Sequence, residues 1–248
     1  MITYKVFPLC EEGDNVALHG ARVCQTGNGA VSRVLVVGVE LVDQPSLSRQ
    51  INEELASSKD WKVSQMWMSQ QKPYIPKFTA VNQLLTGLSS LDDFKYILVC
   101  DDDVKLPPNF LDTYLAIVDC HNFALAQPAR THTSHIHHHI VEQVEGLEAR
   151  QTQFVEIGPV FSIRRDVVPE LLPFDEISPM GWGYEFVWAW RLIGLYRAMG
   201  IVDATPVEHA LRPPCQYNGA HEQMAELLAR NPHISREDAY TVIREYAL

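Results

Sequence analysis

The sequence predicts an α/β fold, in which a mostly parallel central sheet is flanked by helices. The first observation is the alternation of strands and helices up to about residue 127, which is typical of a doubly wound sheet. The second is the apolar run at residues 96–100, which indicates a strand buried on both faces. The third is the group of three carboxylates that follows this run directly, because open α/β sheets bind ligands at the carboxyl ends of their strands.

The amino-terminal half supplies most of this alternation. The predicted strands are residues 32–41, 61–68, 96–100 and 123–127. The predicted helices are residues 46–57, residues 78–88 and a segment from Pro107-Pro108 to about residue 118. Ser46 or Ser48 is the expected N-cap of the first helix.

The carboxyl-terminal half has a different pattern. Residues 128–152 are polar and rich in histidine, so we expect a long surface loop or hairpin there. The elements predicted after it are a strand at 154–163, a helix at 165–172, an apolar helix at about 181–195, a short strand at 201–204 and two amphipathic helices. Ser235 and Asp238 have the spacing of a capping box for the second of these helices.

Composition and charge argue against several classes of protein. An apolar content of 46% is too high for a disordered chain, and no stretch approaches the ~18 unbroken apolar residues of a membrane span. The start at Met1 lacks the basic and apolar regions of a signal peptide. A net charge of -11 argues against a nucleic-acid partner. The five cysteines are scattered without metal-ligand spacing, which favours a reducing, cytoplasmic location.

The carboxylates Asp101, Asp102 and Asp103 follow the apolar strand. Adjacent acids repel one another, so their clustering costs stability unless a cation lies among them. The two outer side chains of an extended turn can point the same way, and one can then ligate a metal. This pattern predicts a hard divalent metal that holds a phosphate group of a nucleotide. An acidic surface turn is the alternative.

Two glycines flank a tryptophan at Gly181-Trp182-Gly183. They allow a tight backbone turn, and the large ring between them is a suitable platform for a sugar. Glu185 follows at the start of a helix, where the dipole favours an ionised carboxylate that can accept a proton from a hydroxyl group. A core tryptophan with an acidic first helical turn is the alternative.

Histidines occur in two settings. His209 follows a short strand, and its imidazole can complete a carboxylate metal site, although a lone histidine there is more often structural. The run from His132 to His139 contains three consecutive imidazoles, which cannot readily converge on one ion in an extended chain. For that run we expect a flexible loop on the acceptor side rather than a metal site.

Taken in order, these motifs resemble those of the GT-A glycosyltransferases. The resemblance is strongest to a poorly characterised plant and bacterial glycosyltransferase-like family. That family shares an Asp-x-Asp strand end, then Phe-Val-Glu-x-x-x-Pro-Val-Phe-Ser, then Gly-Trp-Gly-x-acid, and then Val-Val-Asp followed by a histidine. The corresponding segments here are 101–103, 154–162, 181–185 and 201–209, and the match covers roughly residues 32–212.

The resemblance implies a donor site. Asp103 would be the direct ligand of Mn²⁺ or Mg²⁺, Asp101 would contact the ribose or a metal-bound water, and His209 would be a further metal ligand. The segment before the acidic strand often touches the nucleotide in this family, although a solvated lysine and a surface asparagine are equally compatible with it. The cofactor-binding residues expected on this basis are Asp101, Asp102, Asp103, Lys77 and Asn82.

The resemblance also implies an acceptor site. Glu185 would be the catalytic base, and Trp182 and Gly183 would shape the pocket for the acceptor and the donor sugar. The similarity to β-1,4-galactosyltransferases is weaker, because further acids follow the glutamate in those enzymes and apolar residues follow it here. Glu156, which we also expect at the substrate, is therefore a rival base.

The resulting expectation is transfer of a sugar from a nucleotide-diphosphate donor, most simply a UDP-sugar, to the hydroxyl of a glycan or small molecule. The expected outcome is inversion with Glu185 as the base, and retention is the alternative if Glu185 is not placed at the acceptor. One domain would span residues 1–248, with a nucleotide-binding half at about 30–127, an acceptor-binding half at about 128–218 and carboxyl-terminal helices at 219–248. Peripheral membrane association is compatible with this organisation. The alternatives are a sugar-phosphate nucleotidyltransferase and a catalytically degenerate GT-A domain that binds a glycan or a partner.

Overall fold

A computed structural model of the protein describes residues 31–213 and 219–248. The expectation about the start at Met1 and those about Cys10, Cys24 and Cys215 lie outside these ranges. None of the helices in the two described ranges has the length and apolar content needed to cross a bilayer.

The described residues form eight strands and seven α-helices. The strands are β1 (Arg33–Leu41), β2 (Lys62–Gln70), β3 (Tyr96–Asp101), β4 (Phe123–Arg130), β5 (Leu147–Thr152), β6 (Val160–Arg164), β7 (Ala198–Val207) and β8 (Val242–Ala247). The helices are α1 (Ser48–Ala56), α2 (Lys77–Thr86), α3 (Phe110–Cys120), α4 (Val168–Leu171), α5 (Tyr184–Gly194), α6 (Ala220–Arg230) and α7 (Arg236–Ala239).

All eight strands belong to one sheet with the order β2-β1-β3-β6-β4-β7-β5-β8. The strands β2, β1 and β3 are mutually parallel, and β4 is parallel to β7. The strands β5 and β6 run against their neighbours, so six strands point in one direction and two in the other. The predicted α/β class is confirmed, with a mixed sheet in which most strands share one direction.

The central strands are buried on both faces, as their unbroken apolar sequences predict. One face of β1 and β3 carries Leu35 and Val99, which pack in a core cluster with α2 and α5. The other face carries Val36 and Leu98, which pack with α1 and α3. Because side chains alternate along a strand, each apolar run supplies both layers of the core.

The sequence prediction was wrong at several boundaries in the second half. The expected strand at 154–163 begins only at Val160, because Pro159 has no N–H to donate to a strand ladder. Phe154 and Val155 are nevertheless buried, so the apolar run before Pro159 is a buried loop. The expected helix at 165–172 is reduced to a 3-10 turn followed by the four-residue α4.

Two strands were not located by the sequence analysis. The segment 128–152, expected to be a surface loop or a hairpin, ends in β5, which pairs with β7 and β8 and includes the buried, charged Arg150. The edge strand β8 lies inside the segment 219–248 that was predicted to be helical, so that prediction was wrong at its carboxyl-terminal end. The strand is mostly exposed on both faces, so its sequence has no burial alternation.

Helix caps were predicted with mixed accuracy. The N-cap of α7 is Ser235, whose Oγ accepts from the Asp238 N–H at 3.0 Å, as predicted. The N-cap of α1 is Leu47 rather than a serine, although Ser46 Oγ accepts from the Ser48 N–H at 3.1 Å. The helix α3 begins after Asn109, so Pro107-Pro108 precede its first turn instead of forming it.

Candidate active site

A cavity of about 440 Å³ lies at the carboxyl ends of β1, β3 and β7. These strands point in the same direction, so their ends meet at one edge of the sheet. The cavity brings together seven of the ten site residues that the sequence predicted. They are Lys77, Asp101, Asp103, Glu156, Trp182, Glu185 and His209.

A cluster of possible metal ligands lies in this cavity. Asp101, Asp103 and His209 each offer one ligand atom, and these atoms lie within 4.8 Å of one another. Asp103 Oδ1 is 3.2 Å from His209 Nε2. Asp103 Oδ1 and His209 Nδ1 are buried, and neither has a hydrogen-bond partner among the described residues. Two carboxylates and an imidazole with unsatisfied atoms fit the ligand chemistry of a divalent metal such as Mn²⁺.

The pKa values of the two carboxylates of this cluster are shifted in opposite directions. Burial alone would raise the pKa of Asp103, but the adjacent imidazole of His209 and the charge of Arg212 lower that pKa to about 2. Burial raises the pKa of Asp101, although the ammonium group of Lys77 opposes this shift. Asp103 is therefore the more firmly ionised of the two possible ligands.

Asp102 is buried and does not line the cavity, although it shares the guanidinium of Arg212 with Asp103. Its Oδ2 accepts from the Leu41 N–H at 3.0 Å, and its other oxygen pairs with Arg212. Asp102 therefore ties the end of β1 to the loop after β3.

Two side-chain cations form ion pairs with the three acids. Lys77 Nζ is 2.6 Å from Asp101 Oδ1, and Arg212 Nε is 2.9 Å from Asp103 Oδ2. The sequence argument that these acids need a bound cation is therefore incomplete, because the chain supplies two cations itself. The sequence analysis missed Arg212, whose only local signal is its position three residues after His209.

Besides Asp102, two more of the predicted residues lie outside the cavity lining, Asn82 and Gly183. Asn82 Nδ2 donates to Phe174 O at 2.8 Å, and Asn82 Oδ1 accepts from the Phe174 N–H at 3.0 Å. Gly183 is the N-cap of α5 and contacts α6 rather than the cavity. Asn82 therefore holds the backbone at Phe174, and Gly183 forms the start of α5.

The segment before α5 places Trp182 and Glu185 in the cavity wall. Gly181 and Gly183 have φ values of 98° and 95°, a region that strongly favours glycine. Between them Trp182 is half-buried and faces the cavity. The side chain of Glu185 turns back, so that its Oε2 accepts from the Gly183 N–H at 3.1 Å.

Two glutamates on the acceptor side of the cavity have different partners. Burial, reinforced by the charge of Glu156, raises the pKa of Glu185 to about 7. Glu156 is paired with Arg130, whose side chain is only 3% exposed. Arg130 Nη1 also donates to His135 O at 2.8 Å. Glu156 therefore already has a buried ion-pair partner, whereas Glu185 has no ion-pair partner among the described residues.

The similarity of this chain to known proteins is limited to its fold. No protein-family model and no curated protein sequence matches the chain. Among solved structures, S. aureus TarS has a TM-score of 0.50 at 10% identity, over 80% of this chain. The chain has the GT-A fold. Because it spans only 39% of the TarS chain, the likeness does not extend to the whole of that protein.

Two further structures have lower similarity. GalNAc-T7, solved with UDP, GalNAc and Mn²⁺, has a TM-score of 0.46 at 12% identity and covers 79% of this chain and 47% of its own. TarS 1–349, solved with UDP-GlcNAc, has a TM-score of 0.46 at 12% identity and covers 80% of this chain and 66% of its own.

The histidine-rich segment forms one wall of the cavity in this GT-A fold. His135, His137 and His138 line it, which the sequence analysis did not predict. The His135 N–H donates to His209 O at 3.0 Å, so this wall is hydrogen-bonded to the proposed metal ligand's own backbone. His138 contacts the hydroxyl of Tyr240, and burial lowers the pKa of its imidazole. The imidazole of His138 is therefore neutral at pH 7.

The turn at Gly181 is expected to tolerate no side chain. A Cβ there would lie 2.3 Å from Phe78 Cε2, in addition to the strain of φ 98°. Gly146 has φ 83°, and a Cβ added to it would meet no atom of the described residues within 4 Å, so it is a matched control for strain alone. We expect Gly181→Ala to lose about 1–3 kcal/mol more unfolding free energy than Gly146→Ala, measured by urea denaturation. Equal losses in the two variants would contradict the predicted clash.

Proposed function

We propose that this protein is a metal-dependent glycosyltransferase that moves a sugar from a nucleotide-diphosphate donor to a hydroxyl acceptor. The observation that carries the proposal is the meeting of two groups in one cavity. One is the possible metal cluster Asp101, Asp103 and His209, and the other is the buried carboxylate Glu185 beside Trp182. Such a pairing fits a reaction with an anionic leaving group on one side and an attacking hydroxyl on the other.

On the donor side, Asp101, Asp103 and His209 would hold Mn²⁺ or Mg²⁺. When bound, the metal supplies positive charge that stabilises the diphosphate as it leaves. Lys77 lies on the same side, where its Nζ donates to Gly158 O at 2.7 Å, and it is a candidate contact for the diphosphate. In this proposal the first half of the described residues supplies most of the donor site, and His209 comes from the second half.

On the acceptor side, Glu185 would accept the proton of the acceptor hydroxyl. The acceptor oxygen would form a bond to the anomeric carbon as the bond from that carbon to the diphosphate breaks, which inverts the configuration. Trp182 would stack against a sugar ring, and Glu156 would accept a hydrogen bond from the substrate. Glu185 has no cationic partner among the described residues, in contrast to Glu156, and this difference supports the assignment.

The competing functions have less support. A nucleotidyltransferase would use a glycine-rich basic loop after the first strand, but Gly38 lies inside β1, where a Cβ would come within 2.2 Å of the Trp67 ring. Packing therefore accounts for this glycine. A catalytically degenerate domain would retain the cavity without turnover, and metal-dependent hydrolysis of nucleotide sugars distinguishes it from an enzyme. The scattered cysteines support a cytoplasmic location.

The first test is calorimetric titration of the tag-free protein with UDP, GDP, CDP and TDP, with and without Mn²⁺. We expect Mn²⁺-dependent binding of one nucleotide, most simply UDP, and a loss of more than about tenfold in its affinity for the Asp103→Asn variant. Asp93→Asn is the matched control, because Asp93 is 72% exposed and lies on the surface with Arg33. Binding of no nucleotide, or equal affinity in the two variants, would overturn the donor site.

A further inference from the structure

The side chain of Arg212 lies on two of the three carboxylates after β3. Its Nε donates to Asp103 Oδ2 at 2.9 Å, and its Nη2 group donates to Asp102. Its Nη1 group reaches Pro45 O at 3.4 Å. The side chain of Arg212 is only 15% exposed, so the ion pairs are largely shielded from solvent. This arginine is held as firmly as a structural residue, yet it lines the cavity.

Asp103 is the carboxylate that both the guanidinium and a metal ion would use. Its Oδ2 is occupied by Arg212, while its buried Oδ1 has no hydrogen bond from the described residues and lies 3.2 Å from His209 Nε2. A divalent ion held by Asp103 and His209 would lie within a few ångströms of the guanidinium. Like charges at such distances in a partly buried site repel strongly. Metal binding and the contact between Arg212 and Asp103 therefore oppose each other.

A displaced Arg212 would have a second ligand available in the same cavity. The planar guanidinium offers paired N–H donors that match the oxygens of a phosphate as well as those of a carboxylate. Lys77 lies on Asp101 across the same cluster and faces the same repulsion. When Arg212 and Lys77 leave the carboxylates, they lose their negatively charged partners. A diphosphate bound at this edge of the sheet would replace those partners.

We propose that Arg212 is an exchangeable cation, which binds either Asp102 and Asp103 or the diphosphate of the donor, and that a divalent metal at Asp103 drives the exchange. The inference rests on the proposed function, because it takes a nucleotide diphosphate as the second ligand. Its consequence is thermodynamic coupling between the two ligands. The affinity for the metal is low without the nucleotide and high with it. By linkage, the metal increases the affinity for the nucleotide by the same factor.

The test measures Mn²⁺ binding and UDP binding separately in the Arg212→Gln variant. Electron paramagnetic resonance of free Mn²⁺ reports the affinity for the metal alone, and calorimetry at saturating Mn²⁺ reports the affinity for UDP. We expect Arg212→Gln to bind Mn²⁺ alone about tenfold more tightly than the wild type and to bind UDP about tenfold more weakly. A purely structural arginine would not move these two affinities in opposite directions.

Two further variants separate charge from hydrogen-bonding geometry. Lys105→Gln removes a nearby positive charge that is 72% exposed and 3.5 Å from Glu208, and it should leave both affinities unchanged. Arg212→Lys keeps the charge and loses the planar fork. We expect it to retain weak Mn²⁺ binding and to bind UDP less tightly, and it provides the test if Arg212→Gln does not fold.

Several outcomes would overturn the exchange. One is an Mn²⁺ affinity in Arg212→Gln within about twofold of the wild type. Another is UDP binding that requires Arg212 but no metal. Arg212 would then bind the diphosphate without a metal ion to displace it from the carboxylates. Failure of the proposed function is distinguishable from both, because in that case no nucleotide would bind the wild type under any metal condition.

Discussion

The Glu185→Gln variant is expected to lose about 10²- to 10⁴-fold in kcat while it retains the affinity of the wild type for the donor nucleotide. Glutamine has nearly the same shape and its amide oxygen can still accept the Gly183 N–H, so the start of α5 should be preserved. It cannot accept the proton of the acceptor hydroxyl. The measurement is steady-state transfer from the donor nucleotide found by calorimetry, with nucleotide affinity determined in parallel.

The pH dependence of the reaction should report the same carboxyl group. Because burial raises the pKa of Glu185 to about 7, the base is largely protonated below that pH, and kcat should rise as the pH increases through about 7. This acid limb should be absent from the residual activity of Glu185→Gln. Glu156→Gln is the informative comparison. It should keep the limb, shifted to lower pH, because the charge of Glu156 contributes to the raised pKa of Glu185. A larger loss of kcat in Glu156→Gln than in Glu185→Gln would reverse the two roles.

The raised pKa of Glu185 has a consequence for stability as well. The folded state binds more protons than the unfolded state between the ordinary pKa of 4.5 and the folded pKa of about 7. The free energy of unfolding therefore falls as the pH increases across this window, by an upper limit of about 3 kcal/mol. Glu185→Gln should remove this slope, which urea denaturation at a series of pH values can test.

The Asp203→Ala variant is expected to lose about 3–5 kcal/mol of unfolding free energy, because it leaves a buried guanidinium without its counter-charge. Asp203 is fully buried in β7, and both of its oxygens accept from Arg150 at 2.9 Å. Arg150 also donates to Ile140 O at 2.8 Å and to Glu142 O at 2.7 Å. The pair therefore fastens the segment after the histidine-rich wall to β5 and β7.

A double-mutant cycle with Arg150→Ala separates the pair from its surroundings. The sum of the losses of unfolding free energy in the two single variants should exceed the loss in the double variant by about 1–3 kcal/mol, as expected for residues in one network. Glu53→Ala provides the exposed control, since its pair with Arg49 lies at the surface and should contribute far less than the buried pair. A loss below about 1 kcal/mol in Asp203→Ala would show that the network does not hold the segment.

The parallel strands β1 and β3, and the sheet edge where they end, could be predicted from the sequence. The apolar runs of β1 and β3 allow one arrangement, burial on both faces, and that arrangement places Asp101 and Asp103 at the carboxyl edge. The boundaries failed where local sequence is ambiguous. An apolar run that contains Pro159 packs as a buried loop, and the exposed edge strand β8 has no alternation to detect.

The candidate site was only partly predictable. The convergence of His209 with the acids follows from the shared direction of β3 and β7, and the glycines around Trp182 indicate their own turn. The ion-pair partners of Asp103 and Glu156 could not be recognised from the sequence pattern. Arg212 lies 109 residues from Asp103 along the chain, and Arg130 lies 26 residues from Glu156.

The sequence by itself determined the α/β class, the acids at the end of β3 and the tight turn before α5, because each depends on residues that are adjacent or periodic in the chain. Only the tertiary structure decided how the charges are balanced. Arg212 and Lys77 pair with the acids and Arg130 pairs with Glu156. Glu185 forms no ion pair with the described part of the chain. Electrostatic pairing depends on distance through space and on burial, and neither quantity is encoded by spacing along the chain.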